Sequence, residues 1–208
     1  AGLTMNAQRQ PLADGRWHLS HGPIDLVIAA DGEPEAVRAA HEAAWVRFQG
    51  LLTELVAELP TLRAPVAEGA DNPLRGPVAR RMWAACAPFA RPFITPMAAV
   101  AGAVADELIA FYRGPGVRRA AINNGGDIAL HLTDGEAWRI GLWADLAAFD
   151  AEAAARSMQG TLAVDGAFTV RADAPVRGVA TSGWRGRSFS LGIADAVTAL
   201  ATTASSAD

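Results

Sequence analysis

The segment from Ala120 to Leu130 reads Ala-Ala-Ile-Asn-Asn-Gly-Gly-Asp-Ile-Ala-Leu, two short apolar runs around a polar, glycine-rich centre. Short apolar runs bounded by asparagine and glycine are typical of strands joined by a turn. We therefore predict strands over Ala120 to Asn123 and Asp127 to Leu132. Adjacent glycines reach left-handed backbone conformations without steric cost, so the turn can expose N–H groups to a phosphate or a heterocycle edge. An ordinary loop with an Asx turn is the alternative.

The rest of the C-terminal half also consists of short apolar runs separated by turn residues. Asp134-Gly135 and Asp165-Gly166 suit tight hairpin turns, in which the glycine supplies a positive φ. Further strands are predicted over Trp138 to Trp143, Gly160 to Val164, Ala167 to Arg171 and Gly178 to Thr181.

The N-terminal half is predicted to be mainly helical after an opening hairpin. The hairpin pairs Trp17 to Ser20 with Ile24 to Ala30, and apolar residues at three- and four-residue spacing then predict a helix from Pro34 to Leu59 that Pro60 ends. A surface loop over Arg63 to Pro77 and helices over Val78 to Ala87 and Pro96 to Arg113 follow. Helices grouped beside a meander of strands predict an α+β domain with an antiparallel or mixed sheet and packed helices.

Composition excludes several classes of protein. The chain has 208 residues, 51% of them hydrophobic, with 18 basic residues, all arginine, against 22 acidic ones. The net charge of -4 argues against a nucleic-acid-binding surface. The apolar run from Pro96 to Ala105 is too short for a membrane span of about 20 residues. The single cysteine, Cys86, cannot form an internal disulfide, and the first residues lack a signal-peptide pattern, so we expect a cytoplasmic protein.

A second motif, Gly178-Val179-Ala180-Thr181-Ser182-Gly183, also leads a predicted strand into small polar residues. Thr181 and Ser182 offer hydroxyl groups, and Gly183 permits close approach of a ligand. No base is visible beside Ser182 in the sequence, so no activated nucleophile is predicted. A plain strand end is the alternative. The catalytic residues therefore stay unassigned, and Cys86, His41 and His131 are predicted to be structural.

The two motifs together resemble the ApbE superfamily, whose best-known members are FAD:protein FMN transferases. That family carries Asn-x-Gly-Gly-Asp-Ile and, further along, a Thr/Ser-Ser-Gly strand. The resemblance covers about Pro96 to Asp208 and implies a single ApbE-like α-β roll over residues 1–208 that binds FAD or FMN. It implies the following cofactor-binding residues: Asn123, Asn124, Gly125, Gly126, Asp127, Thr181, Ser182 and Gly183.

The chain departs from the family pattern at three places. Ala101 stands where the family has lysine, although Gly102 and Asp106 match the same helix. The segment from Ser188 to Thr198 lacks the histidine of the classical His-x-x-Asp-Pro segment. Val197 to Ala201 resembles the valine-rich strand that follows in the family. Asp208 resembles the aspartate of a later Ala-Asp segment that binds magnesium in the family, and the sequence ends before the threonine that follows it there. The resemblance thus implies a domain cut short at its C-terminal end and a cytoplasmic branch without the histidine segment.

Two functions stay open. The first is a magnesium-dependent transferase that attaches FMN from FAD to a protein acceptor. The second is an accessory protein, or an enzyme of flavin- or pterin-related cofactor biosynthesis, without flavin transfer. Both imply a small-molecule nucleotide ligand. A third possibility is assembly into a homo-oligomer through the small-residue stripe from Ala98 to Ala105, for which packing within the chain is the alternative.

Overall fold

Nine strands form two antiparallel sheets in residues 6–142, 166–182 and 196–208, which are the residues that the computed structural model describes. The larger sheet has seven strands in the order β1-β2-β3-β4-β5-β8-β9, and β6 and β7 form a separate two-stranded ribbon. The strands are β1 (Gln8–Pro11), β2 (Trp17–His21), β3 (Ile24–Gly32), β4 (Val117–Asn124), β5 (Asp127–Leu132), β6 (Ala137–Leu142), β7 (Gly166–Arg171), β8 (Gly178–Ser182) and β9 (Val197–Ala201).

Four helices lie in the long connection between β3 and β4, and a fifth follows β9. They are α1 (Pro34–Ala57), α2 (Leu59–Leu62), α3 (Pro77–Cys86), α4 (Val100–Ile109) and α5 (Ala204–Ala207). Short 3-10 turns, Pro96–Ala99 and Ala110–Tyr112, extend α4 at both ends. The predicted α+β class is therefore confirmed, and none of the described helices is long and apolar enough to cross a membrane.

Most predicted elements are confirmed with small shifts at their ends, and two details are wrong. The helix predicted to reach Leu59 ends at Ala57, and Pro60 lies in the first turn of α2, where its missing N–H costs nothing. The predicted surface loop is irregular, but it packs onto the core because Val66 and Leu74 are buried. The strand predicted over Gly160 to Val164 lies outside the described residues.

The seven-stranded sheet has a helical layer on one face and the β6–β7 ribbon on the other. Ile122 and Ala129 belong to the same buried cluster as residues of α1, α3 and α4, whereas Leu130 and Val179 pack with the ribbon. Successive side chains of a strand point to opposite faces, so neighbouring residues of β5 serve different layers. This alternation determines which residues of each motif face α4.

An ion-pair network joins three helices of the helical layer. The Glu107 carboxylate of α4 accepts hydrogen bonds from Arg47 of α1 at 2.8 Å and from Arg81 of α3 at 3.0 Å. Burial alone would raise the pKa of Glu107, but the hydrogen bonds and charges of the two arginines outweigh it and lower that pKa. The network fixes α4, whose N-terminal turn borders the site described below.

Candidate functional site

The glycine-rich segment forms a tight hairpin between β4 and β5. Gly125 and Gly126 have φ values of 66° and 114°, and the residues that flank them, Asn124 and Asp127, are direct cross-strand partners. The Asn123 side-chain oxygen accepts a hydrogen bond from the Gly126 N–H at 2.9 Å. An Asx turn, the alternative that the sequence offered, would bond Asn123 to the N–H two residues on. The observed bond reaches three residues on and uses one of the two glycine N–H groups.

The alternation of side chains divides the motif between two faces. Asn124 is only 8% exposed and donates from its side-chain nitrogen to the Ala101 carbonyl of α4 at 3.0 Å. Asp127, as its cross-strand partner, lies on the same helical side. Asn123 is exposed and belongs to the other face. Asn124 and Asp127 are therefore the two side chains of the Asn123–Asp127 motif that lie on the helical side.

The second motif lies directly beside the hairpin. Strand β8 runs antiparallel to β5 with Ile128 opposite Val179, which brings the end of β8 to the β4–β5 turn. A Cβ atom added to Gly126 would lie 3.3 Å from the Thr181 carbonyl oxygen. The two motifs thus meet at one end of the sheet.

Only part of the second motif faces the helical layer. Thr181 shares the ribbon side with Val179, and its hydroxyl lies 3.0 Å from the Thr198 hydroxyl of β9. Ser182, one residue later, is exposed and belongs to the helical side. Gly183 lies outside the described residues, as does Ser188 to Asp195, which stands in place of the histidine segment.

Asp208 reaches the same place from the C-terminal end of the described chain. Its carboxylate accepts a hydrogen bond from the Gly102 N–H at 2.8 Å. Gly102 lies in the first turn of α4, where backbone N–H groups have no partner within the helix and the helix dipole favours negative charge. The N-terminus of α4 thus holds the Asp208 carboxylate beside the hairpin.

Two glycines allow α5 to pack between α4 and β8. A Cβ atom on Gly102 would lie 2.4 Å from the Ala204 carbonyl oxygen, and one on Gly178 would lie 2.0 Å from the Thr203 carbonyl oxygen. Any side chain at either position would collide with backbone. Packing within the chain, predicted for the small-residue stripe of α4, therefore has a specific partner in α5.

The family model described as "AbpE bacteria" matches residues 9–208. The chain belongs to this family. A UPF0280 protein of Methanothermobacter thermautotrophicus is 38% identical over 116 residues, which are 55% of this chain and 39% of that protein. A UPF0280 protein of Methanosphaerula palustris is 39% identical over 118 residues, which are 55% of this chain and 43% of that protein. The matched part of the chain thus spans about two fifths of these curated relatives.

The carboxylates of Asp127 and Asp208 have perturbed acidity in this member of the AbpE bacteria family. Burial, and then the negative charge of Asp208, raises the pKa of Asp127 to about 7. Burial also raises the pKa of Asp208 to about 6, although hydrogen bonds from Gly102 and Ala101 partly oppose this shift and the charge of Asp106 adds to it. The residue Asp208 as a whole is exposed, whereas its carboxylate rests against α4. Near neutral pH, simultaneous ionisation of these two carboxyl groups is therefore unfavourable in this protein.

The donor set fits one particular mode of magnesium binding. Within the described ranges, no group of three or more histidine, cysteine or acidic side chains is arranged to hold a metal ion. Mg²⁺ commonly uses one or two carboxylates and completes its octahedron with water and substrate phosphates. Asp127 and Asp208 match that mode, while both oxygens of Asp106 are used by α5. The role of Asp208 as a metal ligand stays a prediction. The positions of Asp127 and Asp208 are compatible with it.

Two residues that shape the site have only weak signals in the sequence. Asp106 interrupts an otherwise apolar helix, and a carboxylate in such a position needs buried partners, which α5 supplies. Gly178 opens a strand, where glycine marks close approach of another backbone. Neither signal identifies the partner, because both partners lie far away in the chain.

Proposed function

We propose that this protein binds a flavin nucleotide together with Mg²⁺, with the nucleotide diphosphate at the β4–β5 turn. The single observation that carries the proposal is the bonding of both ends of the site to neighbouring residues of α4: Asp208 bonds to Gly102, and Asn124, the cross-strand partner of Asp127, bonds to Ala101. These two carboxylates come from distant parts of the chain, and burial raises the pKa of each. A divalent cation relieves their repulsion, and an anionic diphosphate completes its coordination.

The turn leaves room for a ligand on its outer side. Apart from Gly125 and its two chain neighbours, no atom of the described residues lies within 4 Å of a Cβ built on Gly125. A bound Mg²⁺ would neutralise the diphosphate at which FAD is split in the transferases of the ApbE superfamily that the sequence resembles. Asp127 and Asp208 would hold the cation, while Asn124 fixes the hairpin against α4.

A second function, binding without flavin transfer, is favoured by the histidines. His41 bonds to the Tyr112 hydroxyl at 2.7 Å, and His131 lies 3.3 Å from the Val117 carbonyl oxygen. His18 lies 3.0 Å from Asp25 on the surface of the sheet. His21, the fourth histidine, lies on β2 with its ring 6.3 Å from that of Phe48. None of the four histidines lies in the segment from Ser188 to Thr198, so the chain lacks the histidine that classical members carry there. An accessory role in flavin- or pterin-related cofactor biosynthesis is therefore the alternative.

Titration of the protein with FAD, FMN, ATP and pterins, with Mg²⁺ or with EDTA, tests the binding proposal. The six tryptophans provide a fluorescence signal. We expect Mg²⁺-dependent FAD binding that weakens at least about tenfold in Asp127→Asn and in Asp208→Asn, since each loses a charged ligand. Asp134→Asn, in the exposed turn between β5 and β6, is the matched control and should bind as the wild type does.

Two results decide between the functions. Release of AMP and covalent flavin on a threonine-containing acceptor supports transfer, whereas binding without AMP release supports the accessory role. Absence of Mg²⁺-dependent binding for every nucleotide, or equal binding by Asp208→Asn, overturns the proposal.

A further inference from the structure

Asp106 is a buried carboxylate whose bonds all go to one short segment. It is 8% exposed, and one oxygen accepts the Ala204 N–H at 3.0 Å. The other oxygen accepts the Ser205 N–H at 2.8 Å and the Ser205 hydroxyl at 2.7 Å. Burial of a carboxylate is unfavourable unless hydrogen bonds compensate for the lost water, and these three hydrogen bonds do so. Asp106 therefore fixes the beginning of α5.

Asp208 fixes the end of the same turn to the same helix. Its N–H bonds to the Ala204 carbonyl at 2.9 Å, and its carboxylate accepts the Gly102 N–H of α4. Gly102 and Asp106 are four residues apart and therefore lie on one face of α4. Each of the two helices thus has its N-terminal N–H groups bonded by a carboxylate from the other side. Asp106 of α4 caps the start of α5, and Asp208, the residue after α5, caps the start of α4.

The helix α5 depends on these contacts for its position. Four residues form a single turn, and such a turn has little stability of its own in water. Its internal cap is the Thr203 hydroxyl, which accepts the Ser206 N–H at 3.2 Å but makes no connection to α4. The bonds from Asp106 are the ones that tie the start of α5 to α4.

We infer that Asp106 is a positioning residue that sets where the Asp208 carboxylate lies and, through it, the affinity of the site for a divalent cation. The second part of this inference rests on the proposed function. Asp106 touches neither the hairpin nor the proposed cation through a hydrogen bond of its own, because both of its oxygens are used by α5. Its effect on the site is transmitted by the turn from Ala204 to Asp208, and its charge also acts on the Asp208 carboxylate.

Three variants separate positioning from general stability. Asp106→Asn keeps the size of the side chain but places an NH2 group against hydrogen-bond donors. Ser205→Ala removes one of the three bonds to Asp106. Ser206→Ala is the matched control, since Ser206 belongs to the same turn and its hydroxyl accepts a hydrogen bond from the Thr203 hydroxyl at 2.8 Å without touching Asp106.

The Gly102 amide reports the position of Asp208 directly. In Asp106→Asn, we expect hydrogen exchange of this amide, followed by NMR, to accelerate about tenfold relative to other α4 amides, and the affinity for Mg²⁺ measured by calorimetry to fall by about the same factor. Ser205→Ala should change both in the same direction by about two- to threefold, as expected for loss of a fraction of the contact. Ser206→Ala should match the wild type.

The outcomes distinguish this inference from the proposed function. Wild-type exchange at Gly102 and wild-type Mg²⁺ affinity in Asp106→Asn, combined with a lower melting temperature, would show that Asp106 only stabilises the fold. If the wild type binds no Mg²⁺, the proposed function fails, and the Gly102 amide still decides the positioning role. If Asp106→Asn does not fold, Ser205→Ala compared with Ser206→Ala decides it by the same amide, and equal exchange in these two variants overturns the inference.

Discussion

Asp127 shows how burial at a single residue couples the site to pH. Its pKa of about 7 in the folded protein lies above the usual value of 3.8, so folding favours the protonated form. The associated stability is fully present below about pH 4 and is lost as pH rises through 7. The pKa of Asp208, about 6, acts in the same direction.

Asp127→Asn should consequently be more stable than the wild type at pH 8 and nearly equal to it at pH 4. The gain should be on the order of 1 kcal/mol, because water reaches part of the side chain and weakens the full electrostatic effect. Urea denaturation at both pH values without metal measures the difference. Asp134→Asn serves as the control, and a gain for Asp127→Asn that does not change with pH would contradict the assigned cause.

At the scale of elements, the packing of α5 against α4 and β8 depends on two missing side chains. Gly102→Ala and Gly178→Ala place a Cβ atom 2.4 Å and 2.0 Å from backbone carbonyl oxygens. Each substitution should lower the free energy of unfolding by about 3 kcal/mol, since the backbone has to move to relieve the overlap. Urea denaturation monitored by circular dichroism measures the loss.

Gly50→Ala is the matched control for these glycine substitutions. Gly50 lies on the exposed side of α1, and its added Cβ would lie no closer than 3.7 Å to another atom, the Glu54 carboxylate oxygen. Alanine should stabilise this helix by about 0.5–1 kcal/mol. Equal effects of Gly178→Ala and Gly50→Ala would show that α5 does not pack as described.

Helices and strands were predictable from sequence where the pattern that specifies them lies within the element itself. The strands β4 and β5 and the helix α3 follow from patterns within a few residues. The strand Val197–Ala201 was expected only through the family resemblance. The helix α5 was not predicted, because four residues are too short to show a helical period and its caps come from α4.

At the scale of the whole molecule, the reactivity of the Cys86 thiol measures whether the helical layer is folded. Cys86 is 2% exposed, and its thiol donates to the Thr95 carbonyl at 3.4 Å. Burial, and then the charge of Asp208, raises the pKa of the thiol to about 11, so little thiolate exists at pH 8. These features confirm the structural role predicted for this cysteine.

The chain has one cysteine, so reaction with a disulfide reagent such as DTNB follows a single site. We expect the folded protein at pH 8 to react at least about a hundredfold more slowly than the protein in 6 M guanidinium chloride, because reaction requires opening of the fold. Equal rates in the two conditions would show that Cys86 is accessible in the folded state.

The sequence by itself determined the hairpin of Asn123 to Asp127, since its glycines and flanking strands act within a few residues of one another. Its nearness to the second motif was expected only through a resemblance, and the register between β5 and β8 establishes it. Tertiary structure alone decided that Asn124 and Asp127 face α4, that Asp106 caps α5 and that Asp208 lies beside Asp127. These outcomes depend on burial and on partners distant in the chain, and a linear pattern contains neither.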